Sequence, residues 1–198
     1  VNHLNDKVNK IENLVDLNDG DVVLDIGSND ATTLKLYSNQ NLNLIGIDPT
    51  AHKFSEMYTR NITLIDDFFD QDIFFSNCEK KAKVITSISM FYDLPDPIKF
   101  TQDISSVLDD EGIWVLEQSY LLEMLRTNSY DTICHEHLEY YSTEVLIKML
   151  KKNNLKLIDI KSNKINGSSK QYFLCKQNSK YKVNTRIINK FLKKEKKY

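Results

Sequence analysis

The sequence predicts an α/β fold in which a doubly wound, mostly parallel sheet is covered by helices on both faces. Short apolar segments alternate along the chain with segments of helical periodicity, and several of the apolar segments end at an acidic residue. The first, residues 22–26, reads VVLDI and turns through Gly27 into a polar stretch. Strands without a polar face are typical of parallel sheets buried between two helix layers, so these observations together indicate the doubly wound arrangement.

The predicted elements follow in order. A helix precedes the first strand, because Leu4, Val8, Ile11 and Val15 recur at helical spacing. Six further strands are predicted at residues 42–47, 62–65, 83–88, 112–117, 155–160 and 171–176. Helical segments are predicted at residues 32–39, 52–59, 70–77, 120–128 and 143–153, with one more that opens at Pro95 and Pro97. Seven strands result, and the last of them is expected to run antiparallel.

Turns and helix faces complete this scheme. Ser142 is a predicted helix cap, residues 129–141 show no period and are predicted as a loop, and Asn166-Gly167 joins the last two strands. The apolar positions that are predicted to face inward are Val145, Leu146, Met149 and Leu150 in one helix and Leu121, Leu122 and Leu125 in another.

Length and composition favour a single domain. The 198 residues are 41% hydrophobic, which is enough for one well-buried domain over residues 1–178. Residues 179–198 predict an amphipathic basic helix, with Val183, Ile187, Phe191 and Leu192 on its apolar side. We expect this helix to lead to a further domain, and we expect the chain, which starts at Val1 with a helix that is already amphipathic, to be part of a longer protein.

Charge and cysteine content exclude several function classes. The formal charge is −2, and the basic run at residues 190–197 has no basic stripe before it, so we expect no nucleic-acid surface. The three cysteines are widely spaced and predict neither a disulfide framework nor a cysteine zinc site, which favours a reducing cytoplasm. Because no apolar run reaches the length of a membrane span, no membrane partner is expected. The sequence gives no indication of the oligomeric state.

The turn after the first strand predicts a ligand without phosphate. Ligands of doubly wound sheets bind where the strands end, so Gly27, Asp48 and Asp67 should converge. A dinucleotide would require two more glycines in this turn, and Asp30 would repel its pyrophosphate. A cationic sulfonium that carries an amino acid and a ribose tolerates this acid, with Asp48 placed to bind the ribose hydroxyls and Asp67 the adenine. The alternative is that these acids merely end strands in solvent.

The second unusual stretch is residues 131–142, DTICHEHLEYYS, in which His135 and His137 flank Glu136. A metal site is one interpretation, but these histidines lack the helical spacing that directs two imidazoles at one ion, and no third ligand is evident. Loop histidines in solvent are a second interpretation. Acid–base chemistry is the third, because one imidazole oriented by a carboxylate can remove a C–H proton while the other stabilises an enolate.

Several motifs along the chain resemble those of a known family. VLDIGSND, GIDPT, DDFF, HEHLEYYS and a later NGSS are similar to the sugar C-methyltransferases, Rossmann-like class I enzymes that methylate C3 of nucleotide-linked 4-keto deoxysugars. The resemblance covers residues 14–176 and implies S-adenosylmethionine as cofactor, His137 as the base that removes the C3 proton, Glu136 as its assistant, and His135 near the ketone oxygen. The enolate carbon would then attack the methyl group in line.

The resemblance also implies the remaining contacts. The cofactor would contact Asp25, Gly27, Ser28, Asn29, Asp48, Pro49, Asp67, Phe68 and Ser87, and the sugar would contact Cys134, Tyr140 and Gln118. Cys134 stands where the family often has a tyrosine, Ala31 where it usually has a glycine, and Ser87, Ser89 and Asp93 where an Asn and a His are common.

Three other functions stay open at this stage. An O- or N-methyltransferase of a small metabolite would use the HEH stretch only to shape its pocket. A domain that binds S-adenosylmethionine or a nucleotide without catalysis is the second, and an NAD-binding protein is the third, although the glycine pattern disfavours it.

Overall fold

The computed structural model describes residues 2–59, 61–163 and 169–198, and its core is a seven-stranded sheet. The strands lie in the order β3-β2-β1-β4-β5-β7-β6. Their bounds are β1 Val22–Ile26, β2 Asn43–Ile47, β3 Ile62–Ile65, β4 Ala82–Ile88, β5 Leu108–Gln118, β6 Leu155–Ser162 and β7 Lys170–Lys176. All seven predicted strands are present, and the predicted α/β fold class is confirmed.

The directions of the strands identify the edge of the sheet at which a ligand is expected to bind. β3, β2, β1, β4 and β5 are parallel, whereas β7 is antiparallel to both of its neighbours, β5 and β6. The last strand of the chain is therefore the antiparallel one, as predicted, and it is inserted between β5 and β6. The carboxyl ends of the five parallel strands share one edge, where doubly wound sheets bind their ligands.

Six α-helices accompany these strands in the described residues: α1 Asn2–Leu14, α2 Gln71–Asn77, α3 Pro97–Val107, α4 Leu121–Thr127, α5 Thr143–Lys152 and α6 Thr185–Glu195. On one face of the sheet, α1 buries Val8 and Ile11 against Val23, Val84 and Phe173. On the other face, α2, α3, α5 and α6 cover a larger core, which includes Phe74, Phe100, Ile104, Trp114, Leu146 and Ile188.

Two helices predicted near the ligand edge are wrong. Residues 32–39 contain only the 3₁₀ turn Leu34–Leu36, and residues 52–59 overlap the 3₁₀ segment Ala51–Met57, which is interrupted at Phe54. In the first case, Ala31 has a positive φ of 59° and the Asp30 side chain accepts from the Thr32 N–H at 3.1 Å. The start of the predicted helix is therefore a turn that the Asp30 side chain stabilises.

Two predicted inward positions are also wrong, since Val145 is 48% exposed and Leu125 is 60% exposed. Val145 lies in the first turn of α5, where its N–H donates to the cap Ser142, and the buried face of the helix consists of Thr143, Leu146, Met149 and Leu150. Leu125 lies near the end of α4, a helix of seven residues that buries only Leu122.

The C-terminal helix α6 packs on its own domain. Ile188 is buried, and Ile187, Phe191 and Leu192 pack against the core that α3 and α5 share. Val183, which was predicted on the same apolar side, lies before the helix and is 40% exposed. The predicted Asn166-Gly167 turn lies outside the described residues. None of the helices in the described ranges combines the length and the apolarity of a membrane span.

Candidate active site

Backbone hydrogen bonds align the exits of neighbouring strands at the carboxyl edge. The N–H of Gly27 donates to Ile47 O at 2.9 Å, the N–H of Asp48 to Ile65 O at 3.1 Å, and the N–H of Ser89 to Glu117 O at 2.8 Å. Gly27 and Asp48, two of the three residues predicted to converge with Asp67, thus follow adjacent strands at this edge.

The turn after β1 has an unusual backbone. Gly27, Asn29 and Ala31 all have positive φ, at 73°, 49° and 59°. Alternation of left-handed with ordinary residues directs backbone N–H groups toward one side and makes a cradle for negative charge. Here the Asn29 N–H donates to Asp48 Oδ2 at 3.0 Å. The carboxylate at the end of β2 therefore stabilises the turn at the end of β1.

Asp48 is held more firmly than a simple strand-end acid. Its Oδ1 accepts from the N–H of Thr50 at 2.7 Å and from the Thr50 hydroxyl at 2.8 Å, and the residue is 7% exposed. A carboxylate has about four acceptor positions, and three of them are occupied by these bonds. Asp48 is pre-oriented, with capacity for one further hydroxyl donor on Oδ2.

Tyr58, which follows the 3₁₀ segment Ala51–Met57, and Gly46 of β2 support this turn together with the turn's own Ser28. The Tyr58 hydroxyl donates to Asn29 O at 2.9 Å and accepts from the Ser28 hydroxyl at 2.7 Å. Partial burial, to which the charge of Asp48 adds, raises the pKa of Tyr58 to about 12. A Cβ on Gly46 would lie 2.6 Å from Ser28 Oγ and 2.8 Å from Tyr58 Cε1. Tyr58 was absent from the sequence prediction, and its one signal is this glycine inside a strand, which indicates close packing.

Two predicted cofactor contacts lie inside the protein instead of at the edge. Asp25 is 2% exposed, accepts from the Thr86 hydroxyl, and has its pKa raised to about 6 by burial. Ser87 is fully buried, and its hydroxyl accepts from Trp114 Nε1 at 3.1 Å. The geometry corrects both predictions, because these side chains support β1 and β4 from within and are not presented to a ligand.

Of the other predicted cofactor residues, Ser28 and Asp48 are buried, at 5% and 7% exposed, and the remaining five are accessible. Gly27 and Asn29 are exposed, Pro49 is half-buried, and Asp67 and Phe68 are exposed after β3. The Asp67 carboxylate accepts from the Phe68 N–H at 2.7 Å, and the Phe68 side chain projects into solvent with 74% of its surface exposed. An acid and an exposed aromatic ring thus stand at the β3 exit, next to the exit of β2.

His137 is the one residue of the HEH stretch with a defined environment. Its Nδ1 lies 2.8 Å from the carbonyl oxygen of Thr132, and its ring packs 4.3 Å from the ring of Tyr92. Because a carbonyl can only accept, the neutral imidazole carries its proton on Nδ1 and leaves Nε2 as the basic nitrogen. His137 also lines a cavity of about 210 Å³, together with Ser89, Tyr92, Ser119, Ser129, Asp131 and Thr132.

Glu136 and His135 do not form the predicted arrangement with His137. The side chain of His135 is 90% exposed and that of Glu136 is 73% exposed, with His135 Nε2 3.8 Å from Glu136 Oε1. Cys134 Sγ lies 3.9 Å from Glu136 Oε2. The group that orients His137 is a backbone carbonyl, which corrects the prediction that Glu136 does so.

Tyr140 and Gln118, the two remaining residues predicted to contact the substrate, have different environments. The Tyr140 hydroxyl donates to Thr132 O at 3.2 Å and thus shares this carbonyl with His137. Gln118, at the end of β5, is fully buried, and in the part of the chain that the structure describes its carboxamide has no hydrogen-bond partner. Gln118 therefore has unused polar capacity, one residue before the cavity-lining Ser119, but no open path to a ligand in this conformation.

The exit of β4 borders both the turn after β1 and the cavity that His137 lines. A Cβ on Gly27 would lie 3.3 Å from Met90 Cγ, so Met90 borders the first turn. On either side of it in sequence, Ser89 and Tyr92 line the His137 cavity. Tyr92 and Thr132 were not predicted as site residues, since an aromatic after a strand and a carbonyl in a loop carry no distinctive sequence signal.

Acidic groups dominate the charge around the cavity. Asp131 lines it, and Asp93 lies close enough to the side chains of His137 and Glu136 for an electrostatic interaction with each. Burial and the charge of Glu136 raise the pKa of Asp93, while His137 opposes the shift. Within the described ranges, no three His, Cys, Asp or Glu side chains are grouped as metal ligands would be. An acidic surround favours a cationic or neutral reacting group over a phosphate.

The chain is 26% identical over 171 residues to the C-methyltransferase NovU of Streptomyces niveus, and the match covers 85% of this chain and 41% of the relative's length. It therefore spans about two fifths of the curated relative.

Solved structures share the fold at low identity. A chain of the complex between the Haloferax volcanii Trm112 methyltransferase activator and a methyltransferase superposes with a TM-score of 0.66 at 13% identity, over 88% of this chain and 93% of that one. The plantazolicin methyltransferase BpumL with bound SAH superposes with a TM-score of 0.63 at 13% identity, over 89% and 84%.

The family model described as a methyltransferase domain matches residues 3–160, a region that contains the first turn, Asp48 and the whole HEH stretch. The chain belongs to this methyltransferase-domain family.

Proposed function

We propose that this methyltransferase domain uses S-adenosylmethionine to methylate a carbon next to the ketone of a nucleotide-linked ketosugar. The observation that carries the proposal is His137, whose Nδ1 is held by the Thr132 carbonyl while the side chain lines a cavity at the carboxyl edge. Transfer to carbon needs a base that removes a C–H proton, and Nε2 of this tautomer is such a base. The resemblance to NovU, a C-methyltransferase, supports the same chemistry.

The cofactor is S-adenosylmethionine, which supplies a methyl group on a cationic sulfonium. The turn of residues 27–31 fits it, because Gly27 is exposed beside Met90 and the acidic neighbourhood suits a cation. Asp48 Oδ2 would accept from a ribose hydroxyl, and Asp67 and Phe68 would contact the adenine. Ser28 and Tyr58 would hold the Asn29 carbonyl, and with it the shape of the turn.

The residues around the cavity would perform the proton transfer. His137 Nε2 takes the proton from the carbon beside the ketone, and the electron pair of that C–H bond moves to the ketone oxygen to give an enolate. Tyr92 keeps the imidazole plane fixed by ring packing, and the Thr132 carbonyl keeps the proton on Nδ1. Hydroxyls of Ser89, Ser119 and Ser129 line the same cavity and would bind sugar hydroxyls. The enolate carbon would then attack the methyl carbon, the S–CH3 bond would break with its electron pair left on sulfur, and S-adenosylhomocysteine would be the leaving group.

Replacement of His137 by alanine tests this proposal. We expect His137→Ala to abolish solvent deuterium exchange at the carbon beside the ketone of a thymidine diphosphate-linked 4-keto deoxysugar, because the base is lost. S-adenosylhomocysteine affinity, measured by calorimetry, should not change. His135→Ala is the matched control and should retain exchange, since His135 is 90% exposed and contacts no described side chain of the cavity.

The outcomes separate the competing functions. Exchange that survives in His137→Ala would show that His137 is not the base. Methyl label found on oxygen or nitrogen instead of carbon would establish the O- or N-methyltransferase alternative. Cofactor binding without turnover by the full-length protein would indicate a non-catalytic binding domain.

A further inference from the structure

The carboxylate of Glu195, near the end of α6, binds three groups that are distant from it in sequence. Its Oε1 accepts from the Tyr120 hydroxyl at 2.7 Å and from the Thr143 N–H at 2.7 Å. Its Oε2 accepts from the Glu144 N–H at 3.1 Å. Hydrogen bonds to an ionised acceptor are stronger than neutral ones, so this is a tight contact between distant parts of the chain.

These three partners lie at the two ends of one segment. Residues 121–142 leave the sheet after β5, form α4 and the HEH stretch, and return at the start of α5. Tyr120 immediately precedes the segment, and Thr143 and Glu144 immediately follow it. The N–H of Leu121 also donates to Tyr141 O at 3.2 Å, so the two ends touch. One carboxylate therefore closes the base of the loop that carries His137.

The environment of the contact makes it specific. Tyr120 is 1% exposed, and its ring meets the Phe191 ring of α6 edge-on at 5.9 Å. Burial, reinforced by the Glu195 charge, raises the pKa of Tyr120, so its hydroxyl stays a donor. Thr143 and Glu144 offer the free N–H groups of the first turn of α5, where the helix dipole favours a negative charge. Ile188 seats the rest of α6 in the core.

The position of His137 depends on this loop. The hydrogen bond of its side chain is to the Thr132 carbonyl, which belongs to the same loop, and its ring packs on the Tyr92 ring, which belongs to the β4 exit. A further bond, from Glu139 N–H to Tyr92 O at 3.0 Å, joins the loop to the β4 exit. A shift of the loop ends would move His137 and Ser119 relative to the wall formed by Ser89 and Tyr92.

We propose that Glu195 is a positioning residue for the reaction: its carboxylate fastens both ends of residues 121–142 and thereby sets His137 against the β4 exit. The proposal rests on the proposed function for its kinetic readout. It gives α6, which supplies no residue to the cavity within the described chain, a part in catalysis at a distance.

Kinetics of three variants test the proposal. Glu195→Ala should lower kcat and the deuterium exchange rate at the carbon beside the ketone by about tenfold or more, because loss of alignment is costly, while KM and S-adenosylhomocysteine affinity stay within about twofold. Glu195→Gln should recover most of the loss, since its amide oxygen can still accept from Tyr120 and Thr143. Glu144→Gln is the control: its side chain pairs with Lys148 at 2.8 Å, so only an exposed charge near the same helix end changes.

Unchanged kcat and exchange in Glu195→Ala would overturn the proposal, and so would equal losses in Glu195→Ala and Glu195→Gln. If Glu195→Ala does not fold, Tyr120→Phe removes one of the three bonds and keeps the ring, with a smaller loss expected. Amide hydrogen exchange separates this proposal from the proposed function. Residues 121–142 should exchange faster in Glu195→Ala while residues 22–34 do not change, whether or not the wild-type protein methylates the ketosugar.

Discussion

At the scale of single residues, side chains of one chemical type have different tasks according to burial. Asp48 is oriented by Asn29 and Thr50 at the ligand edge, whereas Asp25 lies beneath the same turn, 2% exposed, with its pKa raised to about 6. The sequence presents both as acids near the end of a strand. Only the alternation of the strand, which turns the side chain of Asp25 into the α1 face, separates the two.

The raised pKa of Asp25 predicts a pH-dependent stability. Because the folded state binds this proton more tightly than the unfolded state, the stability contributed by Asp25 is full below about pH 4 and is lost as the pH rises to about 6. Asp25→Asn lacks this loss, so its free energy of unfolding relative to wild type should increase across this range, by up to about 3 kcal/mol. Urea unfolding at several pH values measures the difference, and a difference that stays constant with pH would contradict the assignment.

Gly46 gives a second prediction at this scale. A methyl group at Gly46 would press on Ser28 Oγ at 2.6 Å and on Tyr58 Cε1 at 2.8 Å. We expect Gly46→Ala to cost about 1–3 kcal/mol of stability and to weaken S-adenosylhomocysteine binding, because the Asn29 carbonyl loses its support. Tyr58→Phe is the companion variant, since it keeps the ring and deletes only the two hydroxyl bonds. Wild-type affinity in both variants would show that this support does not reach the cofactor.

At the scale of elements, α1 is fastened to the sheet by a buried charge. Lys7 is fully buried with its Nζ 2.9 Å from Glu117 Oε2, and Glu117 also accepts from Gln171 Nε2 at 2.8 Å. His3 Nε2 lies 2.8 Å from Glu117 Oε1. Burial lowers the pKa of Lys7, while Glu117 counteracts that shift. The pair joins the first helix to β5 just before the residues that enter the cavity.

Removal of one partner from this pair should be costly. Lys7→Ala leaves the Glu117 carboxylate buried without its cation, and we expect a loss of about 3–5 kcal/mol in the free energy of unfolding. The double variant Lys7→Met with Glu117→Gln removes both charges and should recover a substantial part of the loss. Chemical unfolding measures all of these, and a loss in Lys7→Ala below about 1 kcal/mol would show that the charge is not desolvated as the structure indicates.

The strands could be predicted from the sequence, whereas the conformation of the segments after β1 and β2 could not. The strands are short runs rich in apolar residues, and Gly, Asn or Asp delimits several of them, as at Gly27, Asp48 and Asp66. The segments after β1 and β2 have helical periodicity, but Asp30, Ala31 and Phe54 divert the backbone locally. Val145 in α5 shows a similar limit of sequence-based prediction. Helical periodicity identifies an apolar stripe but does not decide which edge of the stripe is exposed to solvent.

At the scale of the whole molecule, the candidate site is assembled from the exits of β1, β2, β3 and β4 together with a loop that returns to α5. The acids at the strand exits could be predicted to converge because parallel strands share an edge. The orientation of His137 could not, since its partner is a main-chain oxygen, and the link from Glu195 to Tyr120 spans 75 positions of sequence. Such a long-range contact has no local pattern from which it could be inferred.

The group that orients His137 is the main-chain carbonyl of Thr132, and this affects how mutations at position 132 would be interpreted. Every amino acid brings a carbonyl to position 132, so substitutions there can leave the group that orients His137 in place even when the side chain changes. A mutational scan could therefore rate the position as tolerant although its oxygen is central to the site. A peptide carbonyl also neither gains nor loses a proton across the biological pH range, so the tautomer of His137 is set by an acceptor that does not titrate.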